Sequence, residues 1–341
     1  MSCPSEEHPR DSGVTDSGDE SRPPGTRGRR SALLGAMFLM ATSAIGPGFI
    51  TQTTTFTVQL GSAFAFAIAV SIVLDILLQL NVWRVIGVSG RRAQDLGNLV
   101  LPGLGWVIAI LLFVGGFVFN IGNISGAGLG TVSAIGLDPR IGAALSALVA
   151  IAIFVVRRAG VAMDRIVVVL GALIIALTLY VAITSHPPTG QALRSVVLPD
   201  RISFLAITTL LGGTIGGYIV YAGAHRLLDS GIAGPHRVRE ITRGSITGVL
   251  ITGVMRVVFF LAILGVVAGG AALGSTNQAA AAFEAAAGQV GLRIFGVGFW
   301  AASITSVIGA SYTSISVITS RLRTSERTST ILVVAFIVAA T

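Results

Sequence analysis

The chain has 341 residues, of which 53% are hydrophobic and only 11% are charged, and its mean hydropathy is +0.84. Because about a quarter of the residues in soluble domains are charged, this composition excludes a soluble globular protein and indicates a polytopic helical membrane protein. The net charge of +8 does not indicate a nucleic-acid partner, because all 23 basic residues are arginines and most lie in short loops between apolar runs.

Residues 1–30 are rich in Ser, Pro, Gly, Asp and Glu and end on Arg27, Arg29 and Arg30. Such a segment buries too little apolar surface to fold, so we predict a disordered cytoplasmic tail. Residues 31–341 form the predicted transmembrane domain. The lone cysteine, Cys3, lies in the tail and cannot form an internal disulfide.

Eight apolar runs follow the tail, most of them near the roughly 20 residues that cross a hydrocarbon core. A ninth begins near Thr330 and reaches only Thr341, about twelve residues, which is too short to cross a bilayer. We therefore expect a domain that is truncated in its ninth span. Before the eighth span, the Ala-rich stretch with Glu284 predicts a short extracellular amphipathic helix. The eight runs cover about 31–56, 61–82, 104–136, 141–156, 166–184, 204–224, 244–268 and 293–319.

The distribution of arginine predicts the orientation in the membrane. With the N-terminus in the cytoplasm, sixteen arginines fall inside, and those outside are only Arg140, Arg194, Arg201 and Arg293. Because cytoplasmic loops carry the excess of basic residues, we predict a multi-pass protein of a bacterial-type plasma membrane with a cytoplasmic N-terminus.

Two of the apolar runs contain residues that interrupt helices. Ala44–Ile50 holds Gly46, Pro47 and Gly48, and Gly212–Tyr218 holds four glycines. Proline removes a backbone donor, and each glycine is about 1 kcal/mol worse than alanine inside a helix. Freed backbone groups are tolerated in a bilayer only where they line a cavity or are buried in protein. Two such segments in corresponding halves of a membrane protein indicate the binding site of a transporter.

Four polar residues inside the spans are further candidates. Asn120 and Asn123 lie three residues apart on one helix face and do not titrate, so they cannot relay protons; interhelical amide hydrogen bonds are the alternative role. Arg256 lies in the middle of a span, where a charge is costly and usually functional. Asp75, in the second span, is its candidate counter-charge, either along a pathway or in a structural pair.

One set of residues can be aligned without a gap to the corresponding residues of a known protein family. These residues are Gln59, Gly61, Ser71, Gln79, Arg84, Ser89, Gly90, Arg91, Gly126 and Gly136. Together with Gly35–Gly48, Leu211–Ile215 and 293–319, they resemble the Nramp family of divalent metal transporters. The resemblance covers about residues 31–320. It implies an all-α, LeuT-like inverted-repeat bundle in which the broken helices 1 and 6 meet at the midplane.

The same resemblance implies that this chain departs from the family at its metal site. The family's metal-ligating Asp, Asn, Met and His correspond here to Gly46, Phe49, Gly216 and Tyr218. Asn120 and Asn123 stand where the family has carboxylates associated with proton movement, and Gly223 stands where it has a histidine. These positions therefore retain no carboxylate, thioether or imidazole.

The donors that remain are neutral: main-chain carbonyls, the Tyr218 hydroxyl and a hydroxyl–amide patch within residues 51–59. Such oxygens suit a hydrated Mg²⁺ or a polar organic solute better than bare Mn²⁺ or Fe²⁺. Threonines that bond back to their own helix are the alternative. The predicted substrate pathway consists of Gly46, Pro47, Gly48, Phe49, Thr53, Gly213, Thr214, Gly216, Gly217 and Tyr218.

The sequence thus predicts a transporter of a divalent cation, Mg²⁺-like rather than Mn²⁺ or Fe²⁺, that is not proton-coupled through its third span. The alternatives are a carrier of a small organic solute on the same fold and a non-transporting membrane fragment. No catalytic arrangement of Ser, His, Cys or paired carboxylates indicates an enzyme. The expected partners are the lipid bilayer and the transported solute; no cofactor is expected, no residues are assigned as metal ligands, and the oligomeric state is not predicted.

Overall fold

A computed structural model of the chain describes residues 45–274, 276–322 and 325–341. Every regular element in these ranges is helical, and two single 3₁₀ turns (Gly61–Ala63 and Pro235–Arg237) join longer helices. The predicted tail and the start of the first predicted span lie outside the described residues. In chain order the α-helices are α1 (Pro47–Leu60), α2 (Phe64–Ser89), α3 (Ala93–Val100), α4 (Leu104–Ile135), α5 (Pro139–Val155), α6 (Arg157–Thr184), α7 (Thr189–Ser195), α8 (Phe204–Thr214), α9 (Ile219–Asp229), α10 (Val238–Ala268), α11 (Gln278–Leu322) and α12 (Glu326–Ala339).

The described helices include five stretches that are long and apolar enough to cross a membrane. A sixth candidate combines Leu170–Thr184 with α7, which are bent by 103° relative to each other. The predicted fourth span is the shorter helix α5, with 17 residues, at the lower end of the length that crosses a bilayer. The five stretches are Pro47–Ser89, Leu104–Ile135, Phe204–Asp229, Pro235–Ala268 and Gln278–Thr319.

The glycine-rich segment between α8 and α9 is not helical. Helix α8 ends at Thr214 and α9 begins at Ile219. Within the intervening turns Gly217 has φ 55°, a left-handed conformation that glycine adopts without the penalty of a Cβ. The chain therefore passes through this apolar region with main-chain groups released from a regular helix.

Helix α1 begins where the first interruption is predicted. Gly46 is extended, with φ −102° and ψ −170°, and Pro47 is the first helical residue. Proline suits this position because its missing N–H would have no partner within the helix and its φ is already helical. The residues before 45 lie outside the described chain, so the helix that is predicted to precede this break is not tested.

The loop before the eighth predicted span contains a short helix, as the sequence predicts. Helix α11 has a non-helical residue, Gly288, with φ 62° and ψ −161°, which separates a first short segment from the long remainder. Ala282 and Phe283 of this segment are buried and Glu284 is exposed, so the segment is amphipathic. Its extracellular location stays a prediction.

Among the described helices, α4 and α11 share the most extensive contact. Glycines make this approach possible: a Cβ on Gly130 would lie 2.7 Å from the backbone nitrogen of Trp300, and a Cβ on Gly116 would meet the Ser314 hydroxyl. Small residues let two membrane helices pack backbone against backbone, which replaces the hydrophobic driving force that is missing in lipid. This pair forms the wall against which both glycine-rich segments lie.

Candidate transport site

The N-terminus of α1 is enclosed between α4 and α11. A Cβ added to Gly46 would lie 2.8 Å from the Ser306 Oγ and 3.5 Å from the Asn123 Oδ1, and a Cβ on Gly126 would meet the Pro47 ring. Glycine is therefore required at two positions for this end of α1 to approach the wall. The Asn123 amide and the Ser306 hydroxyl lie directly beside the start of the helix.

The interruption between α8 and α9 lies against the same two helices. A Cβ on Gly115 of α4 would be 3.1 Å from the Gly217 Cα, and Tyr218 packs with Ala310 of α11. The Phe119 ring meets the Tyr218 ring edge-on, with centroids 5.7 Å apart. Since positions 119 and 123 of α4, like 306 and 310 of α11, are one turn or roughly 6 Å apart, the two glycine-rich segments are neighbours along this wall.

Helices α1 and α8 also contact each other directly. The Gln52 side-chain amide lies in the space that a Cβ on Gly213 would occupy, and its Oε1 atom is buried without a hydrogen-bond partner. The structure thus brings Gly46, Pro47 and Gly213 into one region with Gly217 and Tyr218. Gly48 and Gly217 are exposed at the surface, so this region is not sealed on every side.

Unsatisfied polar atoms mark the region around the start of α1. The Asn123 Nδ2 and Ser306 Oγ atoms are buried and have no hydrogen-bond partner. Buried polar groups in proteins are normally paired, so each exception calls for an explanation such as a ligand or an ordered water. These two atoms are the groups best placed to bind a solute at Gly46.

Asn120, one turn along α4, is engaged differently. Its Nδ2 donates to the Ser311 Oγ at 3.1 Å, and the Ser311 hydroxyl donates to the Val307 carbonyl at 2.7 Å. This is the interhelical amide bond that we considered as the alternative to a functional role. Asn120 therefore ties α4 to α11, and Asn123 is the amide that faces α1.

The threonines of the predicted pathway bond to their own helices. The Thr53 hydroxyl donates to the Phe49 carbonyl at 2.7 Å and the Thr214 hydroxyl to the Leu210 carbonyl at 2.8 Å. Each hydroxyl keeps lone pairs with which it can accept a further bond. Their participation in a pathway stays a prediction.

Two charged residues lie beside the start of α1 and the end of α8, and each is only 2% exposed. The Arg256 guanidinium of α10 lies over the Phe49 ring of α1, 4.5 Å from its centroid. Asp75 of α2 interacts with Arg256 electrostatically and contacts the Thr214 hydroxyl at the end of α8. Among the described residues, however, Asp75 and Arg256 do not approach within the 4.0 Å of an ion pair.

The described residues contain no group of three or more His, Cys, Asp or Glu side chains that could hold a metal ion. Gly223 stands where the resemblance places a histidine of the family. The ring of Trp83 occupies the space that a side chain at Gly223 would fill, and the Trp83 Nε1 donates to the Val220 carbonyl at 2.9 Å. Any cation at the start of α1 would therefore meet no such group of His, Cys, Asp or Glu side chains among the residues that the structure describes.

Sequence reasoning did not identify Ser306 as a site residue. A single hydroxyl in a long apolar helix is typical of ordinary packing. The available signal is the spacing of four serines that recur every three to five residues along one face of α11, two of which, Ser303 and Ser314, meet glycines of α4. The four serines are Ser303, Ser306, Ser311 and Ser314.

Together, the apolar helices and the wall shared by the two glycine-rich segments define a polytopic helical membrane protein. The profile of the family described as "Natural resistance-associated macrophage protein-like" (Nramp) matches residues 37–341. The chain belongs to this family, which confirms the predicted resemblance.

Two bacterial relatives match most of the chain. The uncharacterized membrane protein YcsG of Bacillus subtilis is 54% identical over 314 residues, which are 92% of this chain and 78% of the relative. An uncharacterized membrane protein of Haemophilus influenzae is 51% identical over 313 residues, which are 92% of this chain and 79% of the relative.

Solved structures confirm the predicted fold class. A mutant of the Eremococcus coleocola manganese transporter superposes with a TM-score of 0.68 at 17% identity, over 94% of this chain and 71% of that one. The same transporter in complex with an aromatic bis-isothiourea compound superposes with a TM-score of 0.67 at 16% identity, over 97% of this chain and 74% of that one. A Na⁺-coupled sialic acid symporter superposes with a TM-score of 0.53 at 15% identity, over 92% of this chain and 80% of that one. At these identities the likeness shows the fold.

Proposed function

We propose that this chain is a secondary transporter whose cargo binds between the start of α1 and the interruption at residues 215–218. The observation that carries the proposal is the position of both glycine-rich segments on one wall, beside the unpartnered Asn123 amide and Ser306 hydroxyl. Main-chain groups freed from a helix at membrane depth require either protein partners or a polar cargo. A transporter of the LeuT fold uses them for the cargo.

The family and the manganese transporters of the same fold support a metal ion as the first candidate cargo. Within that class we infer a hydrated, Mg²⁺-like ion rather than bare Mn²⁺ or Fe²⁺. Mg²⁺ keeps several of its waters and is bound through oxygen, whereas the softer ions favour imidazole or sulfur ligands. The side-chain oxygens nearest to Gly46 are the Ser306 Oγ and the Asn123 Oδ1, and neither carries a charge.

We further infer that transport is not coupled to protons through α4. Asn120 and Asn123 have the shape of carboxylic acids but no titratable proton. Asn120 is also held by its hydrogen bond to Ser311. A proton that accompanies the cargo would need a different route.

A small organic solute is the second candidate cargo, and the position of Arg256 favours it. A divalent cation at the start of α1 would be repelled by this guanidinium, which lies over the ring of the third helical residue, Phe49. Asp75 offsets part of this repulsion, but it lies beyond ion-pair distance from Arg256. A cargo with negative charge would instead be attracted to the same place.

The test is uptake by the full chain reconstituted in proteoliposomes. Separate samples measure entry of Mg²⁺ with a trapped fluorescent indicator, entry of Mn²⁺ by quenching of a trapped dye, and entry of radiolabelled small organic acids and amides. We expect the uptake of at least one cargo to exceed the uptake by protein-free liposomes. We also expect that this uptake does not acidify the lumen, because α4 carries no proton with the cargo. Absence of uptake for every cargo contradicts the transporter proposal, and preferential uptake of Mn²⁺ contradicts the inference about neutral donors.

A further inference from the structure

Arg256 is a buried cation with unused hydrogen-bond donors. Its side chain is 2% exposed, and its Nε and Nη2 atoms have no hydrogen-bond partner. The ring of Phe49 covers one face of the guanidinium, but a ring face does not satisfy N–H groups that point outward in the guanidinium plane. A carboxylate is the group that matches two such donors at once.

The start of α1 adds positive potential at the same place. Gly46 provides no side-chain cap, and Pro47 has no N–H. The backbone N–H groups of Gly48 and Phe49 lie in the first turn, where no carbonyl of the same helix can accept their bonds. Such a helix start binds anions. Arg256 contacts the third residue of this helix, so two independent sources of positive potential meet here.

Asp75, the carboxylate that interacts with Arg256 electrostatically, is not in ion-pair contact with it. Asp75 lies on α2 and contacts the Thr214 hydroxyl at the end of α8, and its Oδ1 has no hydrogen-bond partner. It does not come within 4.0 Å of the guanidinium. The region is thus polarised, with positive charge at the start of α1 and negative charge at the end of α8.

We propose that this site binds the carboxylate of a small organic solute, which is the cargo. Arg256 and the first-turn amides of α1 hold the carboxylate, and Asn123 and Ser306 bond to polar groups elsewhere on the solute. This inference rests on the proposed transport function and selects between its two candidate cargoes. An anionic acid and a zwitterionic amino acid both present the required group, and only the second also offers an ammonium to Asp75.

The test compares acids with amides of the same shape on the purified full chain. Acetate, L-lactate, L-alanine and L-proline are titrated by isothermal calorimetry, each against its amide, and MgCl₂ is titrated separately. We expect at least one acid to bind and its amide to bind at least about tenfold more weakly, as for loss of a charge-assisted hydrogen bond. Binding by lactate but not alanine identifies an anion site, and the reverse identifies a zwitterion site.

Two variants locate the bound carboxylate. Arg256→Gln removes the charge, and we expect it to weaken acid binding at least about tenfold. Arg256→Lys keeps the charge without the planar fork and should fall between Gln and the native residue. Arg201→Gln, at an exposed arginine in the segment before α8, is the matched control and should leave acid affinity unchanged. If Arg256→Gln does not fold, the carboxylate site is tested by the comparison of acids with their amides on the native chain.

The outcomes separate this inference from the transport function. If no acid binds, or if acids and amides bind equally, the carboxylate site is refuted. If Mg²⁺ nevertheless binds and enters proteoliposomes, the transporter proposal stands without it. If no acid binds and none of the tested cargoes enters proteoliposomes, both proposals are refuted.

Discussion

The Arg256 guanidinium lies over the Phe49 ring, with its central carbon 4.5 Å from the ring centroid. Arg256 belongs to α10, the long helix that follows the second interruption, whereas Phe49 is in the first turn of α1. The contact therefore couples the start of α1 to the second half of the chain. A desolvated contact of a cation with an aromatic ring is worth about 2 kcal/mol or more.

This contact predicts an energetic coupling between the two residues. We expect Phe49→Leu to lower stability by roughly 1–3 kcal/mol through lost packing and lost cation–π attraction. In an Arg256→Met background the same change should cost less by about 1–2 kcal/mol. Unfolding of the detergent-solubilised protein measures the double-mutant cycle. Phe336→Leu, a buried change in another cluster, should show coupling to Arg256 of less than about 0.5 kcal/mol.

The glycines of α4 give a second prediction with a matched control. Gly126→Ala places a methyl group against the Pro47 ring, whereas the corresponding methyl at Gly122 has no atom within 4 Å. We expect Gly126→Ala to displace the start of α1 and to reduce uptake at least about tenfold, as for a misplaced binding group. Gly122→Ala should retain uptake and gain up to ~1 kcal/mol in helix stability. Equal uptake by the two variants would contradict the close fit at Pro47.

The start of α1 at Pro47 and the interruption between α8 and α9 were predictable from the sequence because their cause is local. Pro47 and the glycines around it disrupt a helix whatever surrounds them, and the apolar flanks place them in the membrane. The spacing of Asn120 and Asn123 likewise predicts one helix face. In contrast, the separate roles of these two amides depend on Ser311 and Ser306, which lie on α11, far away in sequence. The distance between Asp75 and Arg256 is also set by helix packing, so the sequence suggested a pair without its geometry.

The amide pair of α4 predicts the response to a proton gradient. Because Asn120 and Asn123 do not titrate, we expect no coupling free energy between a proton on α4 and the cargo. Since a tenfold change requires ~1.4 kcal/mol of such coupling, cargo uptake should change less than about twofold when a pH gradient is imposed. A trapped pH dye and parallel cargo uptake provide the measurement. Acidification that depends on cargo and disappears in Asn120→Ala would refute proton independence. Ser311→Ala, which removes the partner of Asn120 and leaves its amide in place, is the control for lost packing.

Exchange of Asp75 and Arg256 tests whether these charges form a structural pair or serve the cargo. Each single change, Asp75→Asn or Arg256→Gln, leaves one buried charge without its neighbour, and we expect both to reduce uptake. The exchange variant, Asp75→Arg with Arg256→Asp, restores the net charge but moves the cation from the start of α1 to the end of α8. If the charges formed only a pair, the exchange would recover most uptake. The native side chains are not in ion-pair contact, and Arg256 is positioned by Phe49. We therefore expect the exchange variant to remain inactive even when gel filtration shows that it is folded.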